Sequence, residues 1–449
     1  MKEILALNAF DRRAGAALSG PLARQIERRG RAFGAASVLF YDRPLEIVRA
    51  EGCWLYDREG VAYLDAYNNV PSVGHCHPRV VAAATRQLAA LNIHNRYLHE
   101  GTLAFAEALL ATLPAPLSNV TFTCTGSESN DLALRLAAQF TGARGVIVTA
   151  AAYHGNTALA TEVSPSAYRR GGPPPHVRVI AAPRSASRSP PADEVARRFA
   201  AEVAVAIDAL QRDGHGFSAL LFDSIFSSDG VFAEPAGFLA QAVALAQRAG
   251  GLVIADEEQP GFGRTGAALW GFARHGITPD IVTMGKPMGN GYPLAAVVTR
   301  PEILDAFCAN VGYFNTFGGS AVAAAVGHAV LEVIAQEGLL TNAAVVGAHL
   351  QRGLAALATR HTAIAEVRGV GLYLGVELRA PTGADDARFT SAVINALRDR
   401  QVLIGAAGAR GNVLKLRPPL CLTIAEADRL LKALDAVLGL GRGPMKADA

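Results

Sequence analysis

The stretch DIVTMGKPMGNGYPLAAVV, residues 280–298, places one lysine between two apolar runs of strand length. Lys286 stands in a turn that is rich in glycine and proline, the residues that most often interrupt regular structure. Lysine is normally a solvated surface residue. An ammonium group at the end of a strand this apolar therefore needs a chemical explanation.

Similar apolar runs recur along the chain and alternate with helical patterns. They are NVTFTCT (119–125), GVIVTA (145–150), ALLFDSI (219–225) and GLVIADE (251–257). Between the first two, Leu132, Leu136 and Phe140 recur every four residues, which is typical of an amphipathic helix. Continuous apolar strands separated by helices predict an α/β fold with a mainly parallel sheet covered on both faces. Ligands of such sheets bind beyond the carboxyl ends of the strands.

The two ends of the chain differ from this central block. The first end contains EIVRAEGCWLYDREGVAYLDAY, which predicts two short strands around an Asp-Arg-Glu-Gly turn. The other end alternates helical patterns with the apolar runs VRGVGLYLGVEL and GNVLKLRPPL. We therefore expect a large domain over residues 76–338 and a smaller α+β domain built from 1–75 and 339–449. The Pro- and Arg-rich stretch 171–194 is interpreted as a surface excursion.

Composition excludes several classes of protein. Among 449 residues, 51% are apolar and 18% are charged, which indicates a folded globular protein. The net charge of +3 is too small and too scattered to indicate binding to nucleic acid or to an anionic membrane. No long uncharged apolar run and no signal-peptide pattern is visible, so we expect a cytoplasmic protein. Five widely spaced cysteines favour free thiols in a reducing compartment.

The segment TGSESND, residues 125–131, joins an apolar run to a helical pattern. Gly126 and Ser127 would present N–H groups and a hydroxyl at the start of a helix, where the helix dipole favours an anion. The alternative is ordinary helix capping by Ser127 or Ser129.

Asp256 ends the apolar run of VIADEEQPGFGRTG, residues 253–266. A carboxylate at that point forms either a structural salt bridge or a functional contact, such as holding a proton on a ring nitrogen. The letters GFGRTG match a dinucleotide-binding pattern, but no helix follows them directly, which disfavours NAD. GHCHP, residues 74–78, has no matching Cys/His cluster elsewhere, so no metal site is predicted.

These strand ends supply three chemical parts. Gly126 and Ser127 suit a phosphate, Asp256 suits a protonated ring nitrogen, and Lys286 suits an aldehyde. Desolvation should lower the pKa of Lys286 and make a neutral amine available for imine formation. One cofactor needs all three parts, pyridoxal 5′-phosphate. Tyr153, in AAYHGNT (151–157), is suited to stacking on its ring.

Residues 36 to 435 resemble the class III aminotransferases, a family of fold-type-I pyridoxal phosphate enzymes. The resemblance rests on the order and spacing of the segments TGSESNDLALRLA, AYHGNT, ADEEQPGFGRTG, PDIVTMGKPMGNGYPLAAVV and YFNTFGGS. It implies that Lys286 carries the Schiff base and moves a proton, while Asp256 pairs with the ring nitrogen. The other implied cofactor contacts are Gly126 and Ser127 at the phosphate, Tyr153 and His154 at the ring, and Gln259 near the ring hydroxyl.

The resemblance also implies a homodimer with shared active sites, because Thr316 would reach the phosphate of the neighbouring subunit. Arg417, in LKLRPPL, aligns with a position where several relatives bind the substrate carboxylate, and its alternative is a structural arginine. Two positions depart from the family pattern. Glu258 replaces an apolar residue that packs under the ring, and Asp223 stands where many relatives carry a glutamate that gates an arginine.

The branch that this sequence resembles contains both amine transaminases and ethanolamine-phosphate phospho-lyase. The sequence favours transamination from a primary amine or omega-amino acid to a keto acid such as pyruvate. The alternative is elimination of phosphate and ammonia from an amino-alkyl phosphate such as phosphoethanolamine. A non-catalytic scaffold is disfavoured because Lys286 and Asp256 are both present.

Overall fold

The computed structural model describes residues 8–11, 18–36, 38–168, 171–183, 192–381 and 384–440. The strands in these ranges are β1 (Ile47–Glu51), β2 (Trp54–Asp57), β3 (Ala62–Asp65), β4 (Asn119–Thr123), β5 (Val146–Thr149), β6 (Val177–Ile180), β7 (Ala219–Phe222), β8 (Leu252–Asp256), β9 (Ile281–Met284), β10 (Ala295–Thr299), β11 (Ile364–Val370), β12 (Tyr373–Leu378), β13 (Val402–Leu403), β14 (Gly405–Ala407) and β15 (Val413–Leu416).

The α-helices in the same ranges are α1 (Gly20–Phe33), α2 (Pro78–Ala90), α3 (Glu100–Leu110), α4 (Gly126–Thr141), α5 (Ala158–Glu162), α6 (Ala192–Arg212), α7 (Ala240–Arg248), α8 (Pro301–Cys308), α9 (Ala321–Gln336), α10 (Leu339–Arg360), α11 (Asp386–Asp399) and α12 (Ile424–Leu440). None of the described helices is by itself long and apolar enough to cross a membrane. The pair α9 and α10, bent by 60°, passes that test of length and composition only when taken together.

A seven-stranded sheet forms the centre of the molecule, in the order β4-β10-β9-β8-β7-β5-β6. The five strands from β9 to β6 pair in parallel, whereas β10 runs antiparallel to both of its neighbours. The sheet is therefore mainly parallel, as predicted. Since β10 is antiparallel to both β9 and β4, β4 runs in the same direction as β9. The carboxyl ends of six strands therefore meet at one edge of the sheet.

Both faces of this sheet are buried, which explains the continuous apolar runs. Along β8, Val253 and Ala255 belong to one apolar cluster, while Leu252 and Ile254 belong to another. Successive side chains of a strand point to opposite faces, so a strand covered on both sides alternates between two cores. The amphipathic period predicted around Leu132 is observed in α4 for Leu132 and Leu136, which are fully buried, whereas Phe140 near the end of the helix is 38% exposed.

Two smaller sheets contain the ends of the chain. In the first, β13 from the C-terminal region pairs in parallel with β3, in the order β1-β2-β3-β13. The second consists of β11-β12-β15-β14. The predicted hairpin around residues 57–60 is present as β2 and β3, and β1 extends it. The domain boundaries at residues 75 and 338 stay predictions.

The stretch 171–194 is not simply a surface excursion. Val177–Ile180 forms β6, the edge strand of the central sheet, and pairs in parallel with β5. Val177 and Ile180 are buried, so the apolar letters HVRVI within the Pro- and Arg-rich stretch make a short strand. Residues 184–191 of this stretch lie outside the described ranges.

Candidate active site

The predicted functional residues meet at the edge of the sheet where the parallel strands end. Asp256 closes β8, Lys286 follows β9 by two residues, and Tyr153 follows β5. Together with the start of α4 they line a cavity of about 320 Å³. Seven residues predicted from the sequence as site residues line it: Gly126, Ser127, Tyr153, His154, Asp256, Gln259 and Lys286. The structure thus brings together seven residues that lie up to 160 positions apart in the sequence.

The start of α4 is capped by Thr125, which neither serine alternative anticipated. The Thr125 side chain accepts a hydrogen bond from the Glu128 N–H, and the Glu128 carboxylate accepts one from the Thr125 N–H in return. Ser127 is left to face the cavity, where its Oγ accepts the N–H of Asn156 at 3.1 Å. The first N–H groups of a helix have no intrahelical acceptor, so this end of α4 suits an anion.

Gly155 is required for the close approach of the Tyr153–Asn156 loop to this helix end. Its φ of +140° lies in the region that favours glycine, and a Cβ there would lie 2.7 Å from Ser127 Oγ. Gly126 is equally confined, because its Cβ would lie 1.9 Å from Glu258 Oε1. Both glycines therefore keep backbone close to the cavity where a phosphate is predicted.

Asp256 is buried and lies within a polar network rather than a lysine or arginine salt bridge. Its Oδ2 lies 2.7 Å from His154 Nδ1 and accepts a hydrogen bond from Asn130 Nδ2 at 3.0 Å. Burial by itself would raise the pKa of Asp256. The hydrogen bond and charge of His154, with the charge of Lys286, outweigh that effect and hold the pKa below its ordinary value. Asp256 is thus an anion that faces the cavity.

Asn130 is a site residue that the sequence patterns did not single out. Its Nδ2 also donates to the carbonyl of His154, and its Oδ1 accepts from Thr283 Oγ1 at 2.7 Å. It therefore links α4, β9 and the loop after β5 around Asp256. The available signal was a polar residue on the buried stripe of an amphipathic helix, next to Leu132 and Leu134.

Lys286 is paired with Glu258, which corrects the expectation for its charge. Lys286 Nζ donates to Glu258 Oε2 at 3.0 Å, and the Lys286 backbone N–H donates to the same oxygen at 3.0 Å. The Lys286 side chain is 38% exposed, so the predicted desolvation is only partial; it favours a lower pKa, but the charges of Glu258 and Asp256 and the hydrogen bond outweigh it. The net effect raises the pKa of Lys286, so in this arrangement the amine is an ammonium ion.

Gln259 and Arg417 are held in one hydrogen-bonded group. Gln259 Oε1 accepts from Arg417 Nη1 at 2.8 Å, from Asn69 Nδ2 at 3.1 Å and from the Tyr373 hydroxyl at 3.2 Å. The Arg417 guanidinium lies 4.5 Å from the centre of the Tyr67 ring. Arg417 is 9% exposed and connects the N-terminal segment to the loop after β8, so it has structural contacts as well as access to the site.

A second cavity of about 300 Å³ opens from the same residues. It shares Tyr153, Gln259 and Lys286 with the first cavity and is further lined by Tyr67, Ser228, Lys415 and Arg417. Lys415 and Arg417 are two residues apart along β15 and its continuation, which places both side chains on one face. Lys415 was not singled out from the sequence, because LKLRPPL reads as an ordinary alternating strand.

Other sequence hypotheses have different outcomes. Asp223 faces the first cavity, but its two oxygens accept the N–H groups of Ile225 and Ser227 at 2.9 Å each. Thr316 is exposed and does not line either cavity of its own chain. Its contact with a neighbouring subunit's cofactor, and the homodimer, stay predictions.

The alternative patterns serve structure. In GFGRTG, no helix starts directly after the glycines, and buried Arg264 donates to the carbonyls of Leu372 and Pro418. In GHCHP, His75 contacts Asp65 and His77 contacts Glu337. The described residues contain no group of three or more Cys, His, Asp or Glu suited to a metal ion.

The residues present fit pyridoxal 5′-phosphate. A helix start with two confined glycines nearby, an ionised buried carboxylate and an amine border one cavity, and these are the partners of a phosphate, a ring nitrogen and an aldehyde. Gly126 and Ser127 would hold the phosphate, Asp256 the ring nitrogen and Lys286 the aldehyde carbon.

Comparison with known proteins agrees with this chemistry. Residues 40–438 match the family described as aminotransferase class III. The chain is 40% identical to alanine–glyoxylate aminotransferase 2-like of Drosophila melanogaster, over 90% of this chain and 85% of that protein. It is 37% identical to ethanolamine-phosphate phospho-lyase homolog 1 of Caenorhabditis elegans, over 92% and 93%.

A solved structure of a phospholyase from Arthrobacter, in complex with phosphoethanolamine, superposes with a TM-score of 0.88. It is 41% identical, covering 92% of this chain and 99% of that one. The predicted fold, cofactor and enzyme class are thereby confirmed. The chain belongs to the class III aminotransferase family, pyridoxal-phosphate-dependent enzymes of fold type I.

Proposed function

We propose that this enzyme removes phosphate and ammonia from a small amino-alkyl phosphate such as phosphoethanolamine. The observation that carries the proposal is the pair of buried basic side chains, Lys415 and Arg417, in the cavity that Lys286 also lines. A substrate whose amine reaches Lys286 would extend its other end toward these two side chains. The sequence favours transamination, and Lys415 changes that preference.

Two cations suit a phosphate monoester better than a carboxylate. A phosphate monoester carries nearly two negative charges at neutral pH, whereas a carboxylate carries one and pairs well with a single arginine. Lys415 is 4% exposed, and no hydrogen bond or ion pair holds it among the described residues. The ammonium form of a buried lysine is costly without an anionic partner, so a doubly charged group would stabilise that form of Lys415 and also pair with Arg417.

The burial of Lys415 and its closeness to Arg417 hold the pKa of its amine well below the ordinary lysine value. Burial removes water from the amine and Arg417 adds a like charge, so both effects disfavour the ammonium form. An arriving phosphate would reverse them and favour the ammonium form. The same contacts would also stabilise the charge of phosphate as it leaves the substrate.

The roles of the remaining residues follow from their positions. Bound pyridoxal phosphate withdraws electrons from the carbon that carries the substrate amine, which makes that carbon more acidic. Lys286 is the amine that borders both cavities, and it would accept the proton from this carbon. Asp256 would keep its negative charge under the ring nitrogen. Tyr153, which lines both cavities, would separate the cofactor from the phosphate end of the substrate.

The relatives support elimination without excluding transamination. The C. elegans protein is named a phospho-lyase homolog, and the Arthrobacter structure contains phosphoethanolamine. The Drosophila relative is named an aminotransferase-like protein, and Arg417 by itself suits the carboxylate of a keto acid or omega-amino acid. Transamination between a primary amine and a keto acid such as pyruvate is therefore the second candidate.

One experiment separates the two reactions. The loaded enzyme is mixed with phosphoethanolamine in the absence of a keto acid, and inorganic phosphate, acetaldehyde and the cofactor spectrum are followed together. We expect phosphate and aldehyde to accumulate over many turnovers while the yellow absorption persists. Stoichiometric bleaching without phosphate release would refute elimination and support transamination.

The binding role of the cations is tested by Lys415→Ala, with Lys432→Ala on the exposed face of α12 as the matched control. We expect Lys415→Ala to raise the KM for phosphoethanolamine about tenfold or more, because a charge-assisted contact to phosphate contributes more than about 1.4 kcal/mol. The rate with a plain amine donor should change far less. Equal losses for both substrates would mean that Lys415 is structural.

A further inference from the structure

Glu258 is the second residue after β8, which ends at Asp256, and it replaces the apolar residue of the family pattern. Asp256 and Glu258 both line the first cavity, whereas Glu257 turns into the core and accepts the N–H groups of Gly271 and Phe272. Glu258 is 4% exposed. A carboxylate this buried needs a partner, and its partner is the amine that forms the bond to the cofactor.

The Glu258 carboxylate is confined between two glycines. Cβ atoms built on Gly126 and Gly285 would lie 1.9 Å and 2.2 Å from Glu258 Oε1. The same carboxylate is tied from the other side by the backbone N–H of Lys286, which donates to Oε2 at 3.0 Å. These contacts leave the group one position, directly against Lys286 Nζ.

The two carboxylate oxygens differ in their surroundings. Oε2 accepts two hydrogen bonds from Lys286, one from the backbone N–H and one from the amine. Oε1 is buried and has no hydrogen-bond partner within the described part of the chain. Because Oε2 accepts both hydrogen bonds and Oε1 accepts none, the carboxylate can take up a proton without losing its contact with Lys286.

We propose that Glu258 is the proton relay of Lys286, a catalytic residue that accepts the ammonium proton when the amine attacks the cofactor aldehyde. An Nζ–H bond of Lys286 breaks, the proton passes to Glu258, and the nitrogen lone pair forms the bond to the aldehyde carbon. The two hydrogens left on the nitrogen depart with the aldehyde oxygen as water. Glu258 then returns its proton to the nitrogen of the new carbon–nitrogen double bond, so charge is conserved within the pair.

This role is independent of whether the enzyme eliminates phosphate or transfers an amino group. Both reactions begin with Lys286 bonded to the cofactor and both require its release and recapture. The relay explains how a lysine that is held as an ammonium ion by Glu258 and Asp256 can still act as a nucleophile at neutral pH. A proton moved within the pair needs no base from solvent.

The unmodified protein provides the first test. Full-length enzyme is stripped of cofactor and reloaded with pyridoxal phosphate, and the yellow absorption is followed at several pH values. Transfer within the pair predicts a loading rate that is nearly constant from about pH 6.5 to about pH 8.5, since no net proton is exchanged with solvent. Loss of the proton to solvent predicts instead a rise of about tenfold per pH unit, which would overturn the proposal.

Other charged groups face the Lys286–Glu258 pair, and their titration can add to the pH dependence of loading. Lys286 faces Asp256 from β8, Lys415 from β15 and Arg417 from the residue after β15, and Asp256 in turn contacts His154. Lys415 titrates with a lowered pKa, so the profile is repeated in Lys415→Met, which removes that charge change. A flat profile in both proteins supports the relay, and a slope that appears in both refutes it.

The second test uses Glu258→Gln, which keeps the shape of the side chain but cannot accept the proton. We expect loading to slow about a hundredfold, the lower range for a positioned general base. Acylation of Lys286 by acetic anhydride in the stripped enzyme, measured by peptide mass spectrometry, should be unchanged or faster, because the ammonium loses its partner. Faster loading would mean that Glu258 is only a counter-ion of Lys286. Equal slowing of loading and of acylation would mean that Lys286 is displaced. Either result refutes the relay.

Glu257→Gln is the matched control, because it neutralises the adjacent carboxyl group without touching Lys286. Burial raises the pKa of Glu257 to about 8, so glutamine closely resembles its neutral form. Loading of this variant should equal that of the unmodified enzyme. Glu258→Ala with added acetate provides the rescue: acetate should restore loading in that variant alone, and failure to do so in folded enzyme would contradict a relay at this position.

Discussion

His154 Nδ1 and Asp256 Oδ2 lie 2.7 Å apart, both buried, at the carboxyl end of the central sheet. Asn130 donates to the same oxygen. Two donors on one oxygen keep the carboxylate ionised and fix its direction, which is what a partner for a protonated ring nitrogen requires.

Asp256→Asn should therefore impair both cofactor retention and turnover. We expect turnover to fall at least about a hundredfold, because the amide cannot hold a proton on the ring nitrogen by charge. Bound cofactor per subunit, measured by absorption after dialysis, should fall as well. The control is Asp229→Asn, a half-buried carboxyl group that accepts from Thr149 and Ala151 away from the cavity lining. If both variants behave alike, the effect of Asp256 is on folding.

The cation pair predicts anion binding that strengthens as the pH falls. The pKa of Lys415 is lowered by burial and by Arg417, and only its protonated form attracts an anion. Sulfate keeps its charge across neutral pH, so its affinity for the loaded enzyme should rise as the pH falls through the lowered pKa of Lys415, by up to about tenfold per unit there. Competition against phosphoethanolamine measures it. Lys415→Met should bind sulfate weakly and without this pH dependence, and a steep dependence in that variant would contradict the assignment.

Gly126→Ala should affect the position of the Glu258 carboxylate more than it affects helix α4. The new Cβ would lie 1.9 Å from Glu258 Oε1, and real contacts of this kind exceed 3.0 Å, so the carboxylate must move by more than 1 Å. We expect loss of its contact with Lys286 and weaker cofactor binding. In a Glu258→Ala background the same substitution should cost much less, which a double-mutant cycle on cofactor affinity would show. Additive effects would mean that the two residues do not interact.

The raised pKa of Glu257 predicts a pH-dependent contribution to the free energy of unfolding. Its pKa is raised to about 8 by burial, against an ordinary value of 4.5, so the folded protein keeps the proton over a range in which the unfolded chain has lost it. Its contribution to the free energy of unfolding must therefore decrease as the pH rises from about 4.5 to about 8 and then level off. The expected loss between about pH 6 and pH 8 is on the order of 2 kcal/mol.

Urea unfolding of the unmodified protein and Glu257→Gln at these two pH values tests this. The difference in unfolding free energy between the two proteins should shift in favour of the glutamine variant at the higher pH. Glu59→Gln, at an exposed turn position, should show no such shift. A constant difference for Glu257→Gln would show that the folded protein ionises this group normally.

Local sequence was sufficient for the strand ends and for the cofactor chemistry. A strand-length apolar run followed by glycine and a polar residue predicts where a buried strand stops, because burial and turn formation depend on adjacent residues. Parallel strands then bring their carboxyl ends to one edge, so Lys286, Asp256 and Ser127 could be expected together. The same reasoning did not predict β6, because its four residues, Val-Arg-Val-Ile, lie within a stretch rich in proline and arginine.

Two site residues that local sequence misjudged or missed depend on a partner from a distant segment. The pKa of Lys286 was expected to fall through burial, but Glu258, 28 residues earlier, reverses the direction. Asn130 acquires its role from Asp256, 126 residues away. Periodicity assigns a residue to a face, and it carries no information about which charge lies opposite.

By itself, then, the sequence determined the α/β sheet, the edge at which chemistry occurs and the cofactor, because each follows from short-range pattern and from the chemistry of single side chains. Only the tertiary structure decided which groups share a cavity. It placed Lys415 beside Arg417 and opposite Lys286, and it confined Glu258 between Gly126 and Gly285. The charge states of these groups, and with them the proposed substrate preference, depend on interactions across that cavity, and the distances are set by packing between segments far apart in the chain.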